Sequence, residues 1–478
     1  MNNKTIVGLE IHAQLNSKTK AFCTCLNDNN LEPNTATCPG CLGMPGALPI
    51  INKEVVILAI KAGLAFNCKI NNESTFERKK YFYPDLPKGY QITQSEIPIC
   101  SDGYIEVKDS NGKNKKINIE RIQIEEDTGK SLHSNDGFVY MDYNRSGAPL
   151  IEIITKPDIN SPQEAREFLI KLRNTLTHLG VNDGKMEDGS LRCDVNVNIL
   201  NELTGEKTSI IEVKNINSFS AVEKTIEFEV VRQTKLLESG ANEVRSTRRW
   251  DDSLGETVIM REKLSADDYM YSKDGDIPNL VVSDELIDEI KNSMPELIEE
   301  KNLRLQSEYK LSEYDAGIIS SDTDLSNYFE KIAEKINNYD LISNFIINDL
   351  LRRMNDEGST IEDLRFTHLE FINLLNYLDK GEINNNTAKK VFRKMFEEGV
   401  NPSKYISDNN LIQIGDESEI ENMVKEVLTE NPDSIKQYLE GKDRILGFLV
   451  GQVMKKSKGK ANPQLVNELI KSNIKNDV

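Results

Sequence analysis

The sequence predicts an α+β fold: a large domain on a mainly antiparallel sheet, then an all-helical domain, then a small helical tail. Three observations carry this. Up to about residue 290 the chain alternates short apolar/polar runs with Gly, Pro, Asn and Asp turns; beyond that point helical spacing replaces the strand pattern; and turn signals near Asn401-Pro402 and from Ser407 to Asn410 divide the helical part again. The expected divisions are therefore 1–290, 291–405 and 406–478, in keeping with a chain of 478 residues.

The first element is "GLEIHAQL". Side chains of a strand point alternately to opposite faces, so Leu9, Ile11 and Ala13 suit a core while Glu10, His12 and Gln14 face the other way. A solvated polar face would explain such a strand equally well. Next come Cys23, Cys25, Cys38 and Cys41, spaced C-x-C, twelve residues, C-x-x-C. Two tight turns of this kind can bring four thiolates around one tetrahedral ion, and the spacing predicts a structural zinc. Cys68, Cys100 and Cys193 lie in apolar or strand-like surroundings and read as packing residues.

"FERKKYFYPDLPKGYQITQ" interleaves Arg78, Lys79, Lys80 and Lys88 with Tyr81, Phe82, Tyr83 and Tyr90, offering cations to phosphates and aromatic faces to bases. Further strands are expected at 117–125, 139–143, 150–155, 192–200 and 209–214. "SPQEAREFLIKLRNTLTHLG" reads as a helix capped by Ser161, opened by Pro162 and stopped at Gly180. From "MPELIEEKNLRLQSEYKLS" onward the pattern is helical, with later helices in "ESEIENMVKEVLTE" and "NPDSIKQYLEGK".

No apolar run nears the roughly 18 residues of a membrane span, and "MNNKTIVGLEIHAQ" lacks the features of a secretory signal, so a cytoplasmic protein without membrane association is expected. A formal net charge of -19 argues against bulk attraction to nucleic acid. The final segment from Gly447 has the opposite bias: Lys455, Lys456, Lys458, Lys460, Lys471 and Lys475 stand against Glu468 and Asp477. It is a candidate anion-binding surface.

The polar-face pattern recurs. In "RIQIEED", Arg121, Gln123 and Glu125 share a face; in "LRCDVNVNIL", Arg192, Asp194, Asn196 and Asn198 do. If these strands are neighbours, Glu10, His12, Glu125 and Asp194 converge on a charged surface of the type that holds Mg²⁺ and phosphate. "DTGKS" ends like a Walker A loop, but Ile124 stands where that loop needs glycine, and Glu125, Glu126 and Asp127 would repel phosphate.

The blocks "GLEIHAQL", "CLGMPGALP", "FERKKYFYPDLPKGYQITQ", "IEEDTGKS", "DYNRSGAPLIEI", "MEDGSLRCDVNV" and "EVKNINSFSAVEKTIEFE" resemble those of the B subunits of aspartyl/glutamyl-tRNA amidotransferases. "GFLVGQVMKKSKGKANPQLVNELI" resembles the end of their tail domain. The resemblance implies a protein that binds misacylated Glu-tRNA(Gln) or Asp-tRNA(Asn), uses ATP to phosphorylate the side-chain carboxylate, and lets ammonia displace the phosphate. It places Glu10, His12 and Glu125 at magnesium-binding positions, with Glu126 and Asp194 as further ligands. Lys79, Lys88, Tyr81 and Tyr90 become candidates for contacts to ATP or the CCA end, Arg192 and Lys214 for steadying charge in phosphoryl transfer, and the tail lysines Lys455, Lys456, Lys458 and Lys460 for tRNA. One segment departs from the family pattern: "DYMYSKDGD" has Met270, Ser272 and Lys273 in place of an arginine, an aromatic residue and a proline.

No cysteine has a reactive setting for glutamine hydrolysis, since His133, His178 and His368 lie in segments without one. The resemblance accounts for this with an amidase A subunit and a small C subunit in a heterotrimer. The contrasting expectation is a non-catalytic, zinc-stabilised tRNA-binding scaffold, which would have no need of converging acidic residues.

Overall fold

The computed structural model describes residues 3–476 apart from 29, 135, 242, 263–268, 413–416, 440, 441, 443 and 458–460. It divides into two compact units, Met1–Leu297 and Ile298–Val478. The first begins with β1 (Asn3–Gln14), α1 (Lys53–Ala65), β2 (Lys69–Ile70), β3 (Glu73–Ser74), β4 (Glu77–Lys80), β5 (Tyr90–Thr93), β6 (Cys100–Lys108) and β7 (Asn114–Glu126). Then come β8 (Lys130–His133), β9 (Val139–Asp142), β10 (Pro149–Thr155), α2 (Pro162–His178), β11 (Leu191–Asn201), β12 (Ile211–Ile216) and α3 (Phe219–Ser239). The unit closes with β13 (Ser246–Asp251), β14 (Glu256–Glu262), β15 (Met270–Lys273), β16 (Leu280–Val281) and α4 (Asp284–Ser293). The expected strands are all present, with ends moved by a residue or a few, and among the described residues four helices stand where two or three were expected.

Nine strands form one sheet in the order β14-β13-β12-β11-β1-β10-β7-β6-β2. Every pairing in it is antiparallel except β12 with β13, whose connection contains α3, as a parallel crossover requires. Val7, Leu9, Ile11 and Ala13 of β1, Ile122 and Ile124 of β7, Ile151 and Ile153 of β10, and Val195 and Val197 of β11 are buried in one core. Val56 and Ile60 of α1, Phe168 and Leu172 of α2, and Val222 and Ile226 of α3 belong to the same cluster. Each buried Val, Leu, Ile or Phe side chain contributes about 1.5–3 kcal/mol over exposure. A one-residue slip of β1 would turn Leu9 and Ile11 outward and bury Glu10 and His12, so the register is strongly specified.

Local chemistry explains the helix ends. The Ser161 hydroxyl accepts the Glu164 N–H at 3.1 Å, Pro162 supplies the first turn, and Gly180 takes φ +66° just past the end of α2. A smaller sheet, ordered β15-β4-β5, sets Tyr271 of β15 opposite Lys79 of β4.

The second unit is helical. Its buried residues form two clusters, one from Leu305 to Ile406 and one from Ile420 to Ile474. Asn401 and Pro402, expected in a turn, instead open the helix Pro402–Asp408: the Asn401 side chain accepts the Lys404 N–H and proline occupies the first turn. Among the described residues no helix is long and apolar enough to cross a membrane.

The close approach of β6 to the end of α1 is testable. A Cβ on Gly103 would lie 2.6 Å from the Phe66 carbonyl oxygen and 2.2 Å from the Cys68 sulfur. Gly103→Ala is expected to destabilise the first unit by about 1–3 kcal/mol; an unchanged denaturation midpoint would contradict this packing.

Candidate active site

The polar faces of β1, β7, β10, β11 and β12 line a cleft of about 500 Å³. Register does the assembly: His12 stands between Glu152 of β10 and Arg192 of β11, and Glu10 is opposite Asp194. The ligand atoms of Glu10, His12 and Glu152 all lie within 4.8 Å of one another. His12 Nε2 is 3.6 Å from Glu152 Oε1 and 3.8 Å from Glu125 Oε1. Among the described residues Glu125 Oε2 is buried with no hydrogen-bond partner, 3.6 Å from Lys79 Nζ.

Buried carboxylates this close repel one another. Burial, then the charges of Glu125 and Glu10, push Glu152 well above the usual carboxylate range. Burial, then Arg192, Lys79 and Lys214, hold His12 well below its usual value, so its imidazole is neutral with a lone pair to offer. Carboxylate oxygens plus one neutral imidazole, with an unpartnered buried oxygen beside them, form a donor set that could hold a divalent cation. Glu152 was not among the expected residues. Its signal was present, as the one charged side chain in "PLIEIIT", but only its pairing with His12 reveals the role.

Gln123 steadies this set from behind. Its Oε1 accepts from Arg121 Nε at 3.0 Å, which turns its amide N–H groups toward Thr93 Oγ1, at 3.1 Å, and Glu152 Oε2. Cations ring the carboxylates. Lys214 Nζ lies 2.6 Å from Asp194 and 3.3 Å from Glu212; burial would lower its pKa, but these two carboxylates outweigh burial and keep it charged. Lys79 behaves alike, with Glu125 and Glu152 outweighing burial. Arg192 Nη2 binds Asp127 at 2.8 Å.

Glu10, His12, Glu125, Asp194, Lys79, Tyr81, Arg192 and Lys214 are thus on or beside one cleft. Glu126, Lys88 and Tyr90 are not brought there. Glu126 follows Glu125 and so faces the other way; it accepts from the Lys88 ammonium and, at 2.9 Å, from the Ile92 N–H. With Tyr90 these two line a separate cavity of about 60 Å³ against Cys23 and Cys41.

The four spaced cysteines do converge, with their sulfurs within 4.8 Å of one another. Zinc–thiolate bonds of about 2.3 Å put tetrahedral sulfurs about 3.8 Å apart, so the cluster could hold such a metal after small adjustment. Cys41 is pulled down to about 4, foremost by the hydrogen bond from the Cys23 thiol, with help from the Cys38 N–H and the Lys20 ammonium. Cys68, Cys100 and Cys193 are free and buried, as packing residues should be.

In the tail, Lys455 and Lys456 end the helix Arg444–Lys456, and Lys456 is held by Glu426 at 2.6 Å and Glu430 at 2.9 Å. Lys458 and Lys460 lie outside the described residues. So does position 268, the start of the divergent segment; Met270–Lys273 of that segment form β15, and beyond the strand Asp274 and Asp276 bind Arg78 at 2.8 Å and 2.6 Å.

A carboxylate cleft rimmed by cations, in a unit that also holds a four-cysteine cluster, belongs to a known class: residues 5–288 match the family described as the GatB/GatE catalytic domain, and residues 327–474 match the GatB domain. Among curated relatives, the aspartyl/glutamyl-tRNA(Asn/Gln) amidotransferase B subunit of Finegoldia magna is 49% identical over 99% of this chain and 100% of its own length. The B subunits from Clostridium tetani and Thermoanaerobacter pseudethanolicus are 45% and 46% identical, each over 99% of this chain and 99% and 100% of their own lengths. The chain belongs to the family of aspartyl/glutamyl-tRNA(Asn/Gln) amidotransferase B subunits.

The geometry predicts a cation site readable without turnover. In a Mn²⁺ titration followed by electron paramagnetic resonance, Glu152→Gln is expected to lose the site, and Gln123→Ala to weaken it about 10–100-fold, the usual cost of losing an outer-shell partner. Wild-type affinity in both variants would rule the cluster out.

Proposed function

We propose that this chain is the carboxylate-activating component of a tRNA-dependent amidotransferase, an ATP-dependent carbon–nitrogen ligase acting on misacylated Glu-tRNA(Gln), Asp-tRNA(Asn) or both. The observation that carries the reading is the grouping of Glu10, His12, Glu125 and Glu152 against Lys79, Arg192 and Lys214 in one cleft. A scaffold that only bound tRNA would gain nothing from crowding buried carboxylates, which costs stability unless a cation offsets it. Magnesium, held by those four residues with Asp194 nearby, would supply neutralisation of the ATP phosphates.

Carboxylate is a poor electrophile, so activation precedes amidation. Lys79, Arg192 and Lys214 offset charge on the phosphates and on the incoming side-chain carboxylate, bringing two anions together. A carboxylate oxygen bonds to the γ-phosphorus, and the bond to the ADP oxygen breaks with its electron pair leaving on ADP. Ammonia then attacks the acyl carbon, the carbon–oxygen bond to phosphate breaks, inorganic phosphate departs, and the nitrogen loses a proton. The products are Gln-tRNA(Gln) or Asn-tRNA(Asn). Ammonia comes from a glutamine-hydrolysing amidase A subunit, which a small C subunit braces. The helical tail from about residue 406, through Lys455, Lys456, Lys458 and Lys460, contacts tRNA backbone.

In the reconstituted complex, Glu10→Gln is expected to abolish tRNA-stimulated ADP release and the phosphorylated intermediate, with tRNA affinity within about two-fold of wild type because the phosphate contacts lie elsewhere. Loss of tRNA binding with phosphorylation intact would reverse the assignment. For the cysteine cluster we propose structural zinc: metal analysis should find about one zinc per chain, and Cys38→Ser should release it and lower the unfolding temperature. An equally stable, metal-free wild type would exclude that role.

A further inference from the structure

The divergent segment holds two aromatic side chains that the cation and carboxylate machinery does not use. Tyr269 and Tyr271 lie two residues apart, so they share a face of the backbone, and both line the cleft. Tyr271 is opposite Lys79 across the β15–β4 pairing, and the Lys79 ammonium sits 5.1 Å from the Tyr269 ring centre. The same ammonium is 3.6 Å from Glu125, so one side chain joins the aromatic wall to the carboxylates. Tyr81, which follows β4, meets Tyr269 edge to face, with ring centres 5.4 Å apart. Despite the cleft, Tyr269 is 39% exposed and Tyr271 50% exposed. Rings that only filled a core would be covered, and rings that face a cation-lined cleft are placed to take a flat partner.

Stacking on an aromatic face is the means by which proteins hold nucleobases regardless of sequence. A phosphate-bearing ligand in this cleft puts its charged end by Lys79, Arg192 and Lys214, which leaves its base to the tyrosine wall. Resting on the reading of the site as one that uses ATP and an aminoacylated tRNA end, we infer that Tyr269 and Tyr271 form a stacking platform for the purine ring of an adenosine. Two sources carry that ring, ATP and the terminal adenosine of the tRNA acceptor end. Met270, between the two tyrosines, is 73% exposed. It turns away from the cleft, so its replacement of the family's arginine leaves the platform intact.

The test uses the complete complex. Tyr269→Ala, Tyr271→Ala and the corresponding Phe variants are compared with wild type in two arms: equilibrium binding of ATP, and binding of misacylated tRNA with or without its terminal adenosine. Loss of one stacking contact is expected to weaken the arm that uses the platform by about 5–150-fold, and Phe, which keeps the ring, is expected to restore it to within about two-fold. Weakening confined to ATP assigns the platform to the nucleotide; weakening confined to intact tRNA, absent once the terminal adenosine is removed, assigns it to the acceptor end. Ala variants that bind both ligands as wild type does overturn the inference, as does failure of Phe to restore binding, which would mark the rings as structural. The functional reading is decided separately by whether the wild-type complex consumes ATP in response to misacylated tRNA. A wild type that binds neither ligand overturns both.

Discussion

Leu9 and Glu10 are neighbours in the chain and lie on opposite faces of the sheet, and most of what this protein can do depends on that alternation. The pleat gives β1 a buried side of Val7, Leu9, Ile11 and Ala13 and a cleft side of Glu10 and His12. The same division holds in β7, β10 and β11. The helices packed on one side lock each strand's register through apolar burial, and that lock in turn fixes which polar groups meet on the other side. Core packing and site geometry are thus two consequences of one constraint.

Holding Glu10, Glu125 and Glu152 near one another costs free energy, and the structure offsets it from two directions. Lys79 reaches in from the small sheet, while Arg192 and Lys214 stand on strands of the large one, each tied to a carboxylate of its own. The second offset is the donor set itself, with a neutral His12 and an unsatisfied Glu125 oxygen that suit a cation. Gln123, oriented by Arg121, keeps Glu152 aimed at His12 rather than free to turn away. The charges of the cleft are fixed before any ligand arrives.

Several features were legible in the residues because they obey local rules. The C-x-C and C-x-x-C pairs announced a cluster, and their sulfurs meet. Ser161, Pro162 and Gly180 marked the ends of α2, and the alternation in "GLEIHAQL" marked both faces of β1. Other features were hidden. Glu152 sits in an apolar strand and acquires meaning only opposite His12. Glu126 looked like part of an acidic run, but the pleat sends it to Lys88 and the Ile92 N–H, away from Glu125. Tyr269 and Tyr271 belong to a stretch that departs from the family pattern, and their place on the cleft depends on β15 pairing with β4, almost two hundred residues earlier in the chain.

By itself the sequence determined the fold class, the strands and helix caps, the cysteine cluster and the family, because each rests on side chains close in the chain or on spacing that no long-range contact can alter. Tertiary structure alone decided which carboxylates share a site, which lysine serves them and which faces a different cavity. Those outcomes depend on cross-strand register between segments far apart, and register is settled by the collective burial of the apolar face, which no single motif encodes.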